Sequence, residues 1–189
     1  MPLFRQGRGP YALPIAMSGI KLGERFLYVG SGRPAMFAAL AAKVGLTGRA
    51  AGVGRGEEAA GALQRAAVRA GVLVEVADRA AGPLPYDADS FDVAVVDSTD
   101  GALGALRPDD RAQQLVELAR MIRPGGRLLV VEATRRFVAR LLGSDPTDPD
   151  YRRSGGAVPA LVAAGFRPVR LLAERAGFRF TEGMKPGHP

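Results

Sequence analysis

The sequence contains no cysteine and no tryptophan, and its one histidine, His188, stands next to the C-terminus. Without cysteine there is no disulfide, thiolate nucleophile, zinc–thiolate centre or iron–sulfur cluster, which fits a cytoplasmic protein. A histidine so close to the chain end is a poor general base. Long apolar runs are missing too: nothing approaches the roughly 18 residues that a membrane span needs. Residues 1–20 carry Arg5 and Arg8 around a short, proline-interrupted apolar stretch, unlike a signal peptide. Acidic residues are not grouped at metal-ligand spacing. Asp145, Asp148 and Asp150 lie in a proline-containing loop that reads as solvated, so no metal is expected.

Positive charge is plentiful. The formal net charge is +7, and all but Lys21, Lys43 and Lys185 of the 26 basic residues are arginine. Two readings stand. Arginine excess together with abundant alanine and glycine is what a GC-rich genome produces. Alternatively, doublets such as Arg135-Arg136 and Arg152-Arg153 mark a surface for nucleic acid, although no aromatic residues interleave with them as single-strand binding requires. The first is favoured. At 189 residues the chain is long enough for one domain with a substantial core, spanning 1–189 with an irregular segment over 1–20 where Pro2, Pro10 and Pro14 break any helix.

Five strand patterns alternate with helices. Phe26 to Val29, Ala50 to Val53, Val72 to Val76, Phe91 to Val96 and Arg127 to Glu132 read as strands. Ala35 to Val44, Glu57 to Ala70 and Pro108 to Ile122 read as helices, with acidic residues in the first turns of the last two. Gly82 to Ser90 and Ser144 to Asp150 read as loops, and Pro124-Gly125-Gly126 as a turn. A short helix over Ala157 to Ala164 follows. Pro168 to Ala173 and Phe178 to Met184 then form a hairpin around Gly177, so one of these strands runs antiparallel. The expected fold is α/β: a Rossmann-like, mostly parallel sheet of seven strands with an antiparallel last strand and helices on both faces.

The most informative segment is Arg25 to Ala35, where an apolar strand ends in Gly30-Ser31-Gly32 and passes into a helix opened by Pro34. Glycines at such a turn let a ligand approach the backbone, and the helix start offers free N–H groups. Together with Leu84 to Asp92, Met121 to Glu132 and Ala164-Gly165-Phe166, in this order and spacing, the chain resembles the class I S-adenosylmethionine-dependent methyltransferases over about residues 20–186. The resemblance implies S-adenosylmethionine as cofactor. It would lie over Tyr28, Gly30, Ser31 and Gly32, near Gly54, Arg55, Asp78, Asp97 and Ser98. It also implies a small-molecule acceptor, with a homodimer or partner subunit compatible with the scarcity of residues for a lid. No catalytic side chain stands out, and lack of cysteine excludes methylation through a thiolate adduct. Methylation by proximity then suffices.

Two departures keep alternatives open. Pro34 replaces the family's third glycine, and Gly54 replaces the acid that accepts from the ribose hydroxyls, a loss of about 1.5–3 kcal/mol. A catalytically silent methyltransferase fold acting as a binding or assembly subunit is therefore the alternative. For it, Gly54→Asp is expected to restore cofactor affinity. Gly30-Ser31-Gly32 followed by Arg55 also fits an NADP site, with the arginine receiving a 2′-phosphate.

Overall fold

A computed structural model describes residues 9–30, 33–78, 84–134 and 146–187. Its centre is a seven-stranded sheet in the order β3-β2-β1-β4-β5-β7-β6. β1 (Arg25–Val29), β2 (Arg49–Gly54), β3 (Glu75–Asp78), β4 (Phe91–Ser98) and β5 (Ile122–Ala133) are mutually parallel where they pair. β7 (Phe178–Met184) runs antiparallel to both β5 and β6 (Val169–Arg175), as the short Ala176-Gly177 connection demands. β1 and β4 are apolar on both faces because helices cover both.

On one face, Phe26, Tyr28, Val93 and Val95 pack under α2 (Pro34–Ala41) and α3 (Glu57–Ala70), with α1 (Ala12–Ser18) alongside. On the other, Leu27, Val29, Ala94, Val96, Leu128 and Val130 pack under α4 (Ala102–Ala105), α5 (Pro108–Met121) and the pair α6 (Pro149–Arg153) and α7 (Ala157–Ala163). None of the described helices is long and apolar enough to cross a membrane. Local signals place the helix ends. Pro34 and Pro108 open α2 and α5, Glu57, Glu58, Asp109 and Asp110 occupy first turns, and Gly71 closes α3 in the left-handed region at φ 68°.

Four expectations need correction. Pro14 does not prevent a helix: it lies in the first turn of α1, where the missing N–H has no intrahelical partner to lose. β3 starts at Glu75, not Val72, because the Val72 N–H is spent on Ala67 O at the end of α3. The loop reading of residues 144–150 gives way at Pro149, where α6 begins with the Asp148 side chain accepting from the Asp150 N–H. The Pro124-Gly125-Gly126 turn interrupts β5 instead of preceding it: pairing with β4 jumps from Phe91–Ile122 to Val93–Arg127, so residues 123–126 bulge out opposite Asp92. Asp92 holds that bulge, accepting from the Arg25 backbone N–H (2.7 Å), the Arg25 side chain (3.2 Å) and Arg123 Nε (2.5 Å).

Candidate functional site

In a parallel sheet the carboxyl ends of the strands form the ligand-binding edge. Here the end of β1 almost touches the end of β4. A Cβ on Gly30 would stand 2.7 Å from the Asp97 carbonyl oxygen, so only glycine fits there. Ser31 and Gly32 lie outside the described residues.

Side-chain alternation sends Tyr28 and Asp97 to the α2 face, and there they meet. The Tyr28 hydroxyl donates to Asp97 Oδ2 at 2.6 Å, while Asp97 Oδ1 accepts from the Thr99 N–H (3.0 Å) and hydroxyl (2.6 Å). Arg33 Nε donates to Thr99 Oγ1 (3.2 Å). Burial, then the Asp97 carboxylate, push the Tyr28 hydroxyl well above its ordinary range, so it remains a donor. Asp97 is thus turned inward, with both oxygens engaged in holding the turn. Ser98 Oγ accepts from the Leu103 N–H (3.0 Å) and so caps α4.

The other face of the same edge carries two adjoining hollows. The first is a narrow cleft between the ends of β1 and β2, reached by Gly30, Gly54, Arg55 and Asp97 and floored by Val53, Leu103 and Gln114. Arg55 is exposed at its rim. Asp78 pairs in register with Gly54 but is exposed on the strand beyond, and does not line the cleft. Gly54 has a steric reason. A Cβ there would lie 2.3 Å from Ala60 N and 2.6 Å from Ala60 Cα, because the first turn of α3 packs directly on the end of β2. An acid is therefore excluded at this position with α3 where it is, contrary to the expectation that Gly54→Asp restores a site.

Gln114 is the polar residue that the sequence reading missed. It is 5% exposed, lies between Arg111 and Leu118 on the inward face of α5, and lines the cleft. The signal was available: Arg111, Gln114, Leu115 and Leu118 follow the i, i+3, i+4, i+7 spacing of a core-facing stripe, and two of them are polar.

The second hollow is a cavity of about 210 Å³ beside the ends of β4, β5 and β7. Strand register builds its polar wall: Ser98 pairs with Glu132, Glu132 with Arg179, and Arg179 with Glu174. All four line the cavity. Glu132 continues the apolar row of Leu128 and Val130 one step beyond the core. Its Oε1 accepts from the Tyr151 hydroxyl at 2.9 Å, while Oε2 and Arg179 Nε are buried with no hydrogen-bond partner among the described residues. Burial raises the Glu132 carboxyl above the usual carboxylate range, with Tyr151, Arg179 and the Ala157 N–H opposing it in part. Burial and Glu132 also raise Tyr151, which stays protonated. Arg111 stacks on the Tyr151 ring (4.3 Å to its centroid) and donates to the carbonyls of Leu103 (3.1 Å) and Leu106 (2.7 Å), so it ties α4 to α6. α4 is the partition between the hollows: Ala102 and Leu103 face the cleft, Gly101 and Gly104 the cavity.

Residues 27–130 match the family described as a methyltransferase domain. No curated protein matches the chain in sequence. Among solved structures, an S-adenosylmethionine-dependent methyltransferase from Aquifex aeolicus is similar with a TM-score of 0.72 at 18% identity, over 90% of this chain and 87% of that one. A Haloferax volcanii protein solved in complex with the Trm112 methyltransferase activator gives 0.64 at 19% identity, over 93% and 87%. The cyclase SpnF gives 0.68 at 17% identity, over 93% and 79%.

Proposed function

The chain belongs to the methyltransferase domain family, whose cofactor is S-adenosylmethionine, and from that membership we propose that it methylates a small molecule held in the cavity beside Glu132. The observation that carries this reading is the pair of hollows separated only by α4, one beside Gly30 and one walled by charged and hydroxyl groups. Family membership also displaces the NADP reading of Gly30-Ser31-Gly32 and Arg55.

When bound, S-adenosylmethionine supplies a methyl group on a sulfonium, which leaves as a neutral thioether and needs no acid. The chain's own task is to position the acceptor and to manage its proton. Glu132, oriented by Tyr151, is the group placed to take a proton from an acceptor O–H or N–H, and its raised affinity for protons suits that task. Arg179 beside it favours an acceptor that carries negative charge or carbonyl oxygen. The volume supports a small acceptor, since about 210 Å³ falls below the ~300–1,000 Å³ of drug-sized sites. A second subunit completing the site, in a cytoplasmic protein, belongs to the same proposal, and the Haloferax neighbour with its activator supports it.

A catalytically silent binding subunit is the second reading, favoured by the close packing that forbids an acid at Gly54. Calorimetry with S-adenosylhomocysteine and transfer of labelled methyl to a panel of small hydroxyl and amine acceptors separate the two. Binding at micromolar ligand and transfer lost in Glu132→Gln are expected. Binding without transfer to any acceptor favours the silent subunit, and no heat at millimolar ligand sinks the methyltransferase reading.

A further inference from the structure

Two buried polar atoms of the residues that wall the cavity have no hydrogen-bond partner among the described residues: Glu132 Oε2, an acceptor, and Arg179 Nε, a donor. They belong to directly opposed residues of β5 and β7. Both side chains converge on Gly156, which also lines the cavity at the start of α7. A Cβ there would lie 3.2 Å from Glu132 Oε2 and 3.4 Å from Arg179 Nη1, so glycine keeps this corner free of side-chain bulk. Glu132 Oε1 is held by the Tyr151 hydroxyl, and Oε2 does not accept from Arg179, so the opposed charges are not spent on each other.

A guanidinium offers parallel N–H donors that match the two oxygens of a carboxylate. A carboxylate oxygen beside it accepts from a hydroxyl. We propose that the cavity takes a small 2-hydroxy acid, whose carboxylate pairs with Arg179 while the neighbouring hydroxyl donates to Glu132. This rests on the methyltransferase reading above for the fate of that hydroxyl, not for its binding. The lining holds two acids, Glu132 and Glu174, and two bases, Arg152 and Arg179, and Arg152 already has a partner. Arg179 is flanked in register by both acids, so it balances one negative charge of a ligand. A phosphate dianion would meet like charge on either side. An amine in place of the hydroxyl would carry its own positive charge next to the guanidinium. Arg179 also stands on the middle strand of the β5-β7-β6 ladder, so its backbone is fixed by paired neighbours on both sides.

The test reads binding and needs no turnover. Lactate, 2-hydroxybutyrate and mandelate, each beside its amide and the acid lacking the hydroxyl, are titrated by calorimetry into the wild type, Arg179→Met and Arg179→Lys. Each titration is run with and without S-adenosylhomocysteine, and melting temperatures are recorded. At least one hydroxy acid is expected to bind the wild type roughly tenfold more tightly than its amide and its deoxy acid. In Arg179→Met that affinity falls by roughly tenfold to a hundredfold, as loss of a charge-assisted pair implies, and the preference for acid over amide disappears. Arg179→Lys, which keeps the charge but not the fork, lies between. Wild type that prefers no hydroxy acid over its amide, or none over its deoxy acid, overturns the proposal. So does an unchanged preference in folded Arg179→Met. Should that variant fail to fold, Arg179→Lys decides, and an affinity there equal to that of the wild type overturns the proposal too. Failure of S-adenosylhomocysteine to bind the wild type instead removes the methyltransferase reading, and leaves an observed acid preference standing as that of a binding protein.

Discussion

Position 54 shows how a single residue can be read in two ways. In the sequence, glycine there is a missing acid. In the structure it is a contact, because α3 begins against it with Ala60 N only 2.3 Å from where a Cβ would stand. Gly54→Asp is accordingly expected to destabilise the fold by about 2 kcal/mol or more through overpacking, lowering the melting temperature by roughly 4–8 °C, with no gain in S-adenosylhomocysteine affinity. Differential scanning calorimetry with and without ligand checks both parts. The strand–glycine–helix pattern singles out Gly30 and Tyr28 in the sequence as expected cofactor contacts. That the Tyr28 hydroxyl would seize the carboxylate of Asp97, 69 positions away, was not legible there, since a hydrogen bond across strands depends on which face each side chain takes.

At the level of elements, the β5 bulge is the place where charge and topology are joined. Asp92 on β4 serves Arg25 at the start of β1 and Arg123 in the bulge. Burial alone would raise its carboxyl, but the hydrogen bonds from the Arg25 side chain and backbone and from Arg123 outweigh this and hold it at about 2. A depressed carboxylate stabilises the folded state above its unfolded value and loses that contribution as pH falls through the folded one. Stability is therefore expected to drop between about pH 4 and pH 2, by about 1–2 kcal/mol once the partial exposure of both arginines is discounted. Asp92→Asn should flatten the acid limb of a urea-denaturation series; an acid limb identical to that of the wild type would refute the role of this cluster. The Pro-Gly-Gly turn was visible in the sequence, but its place inside β5 was not, because local turn chemistry carries no information about which strand a flanking residue pairs with.

Over the whole molecule, burial falls from the sheet centre outward. β1, β4 and β5 are covered on both faces, whereas β3 and β6 are edges that carry exposed residues and no buried ones. Native-state hydrogen exchange should find amides of Phe26–Val29, Val93–Val96 and Leu128–Val131 opening only with global unfolding, and those of β3 and β6 opening first. Equal protection across all strands would contradict this layering. The sequence by itself determined the alternation of strands and helices, the closing hairpin and the glycine at the end of β1, because apolar periodicity, capping residues and turn glycines act over a few residues. The tertiary structure alone decided that Ser98, Glu132, Arg179 and Glu174 form one polar row, that Gln114 faces a cleft, and that position 54 has no room for an acid. Those facts follow from register and helix-on-sheet packing, which bring together residues far apart in the chain.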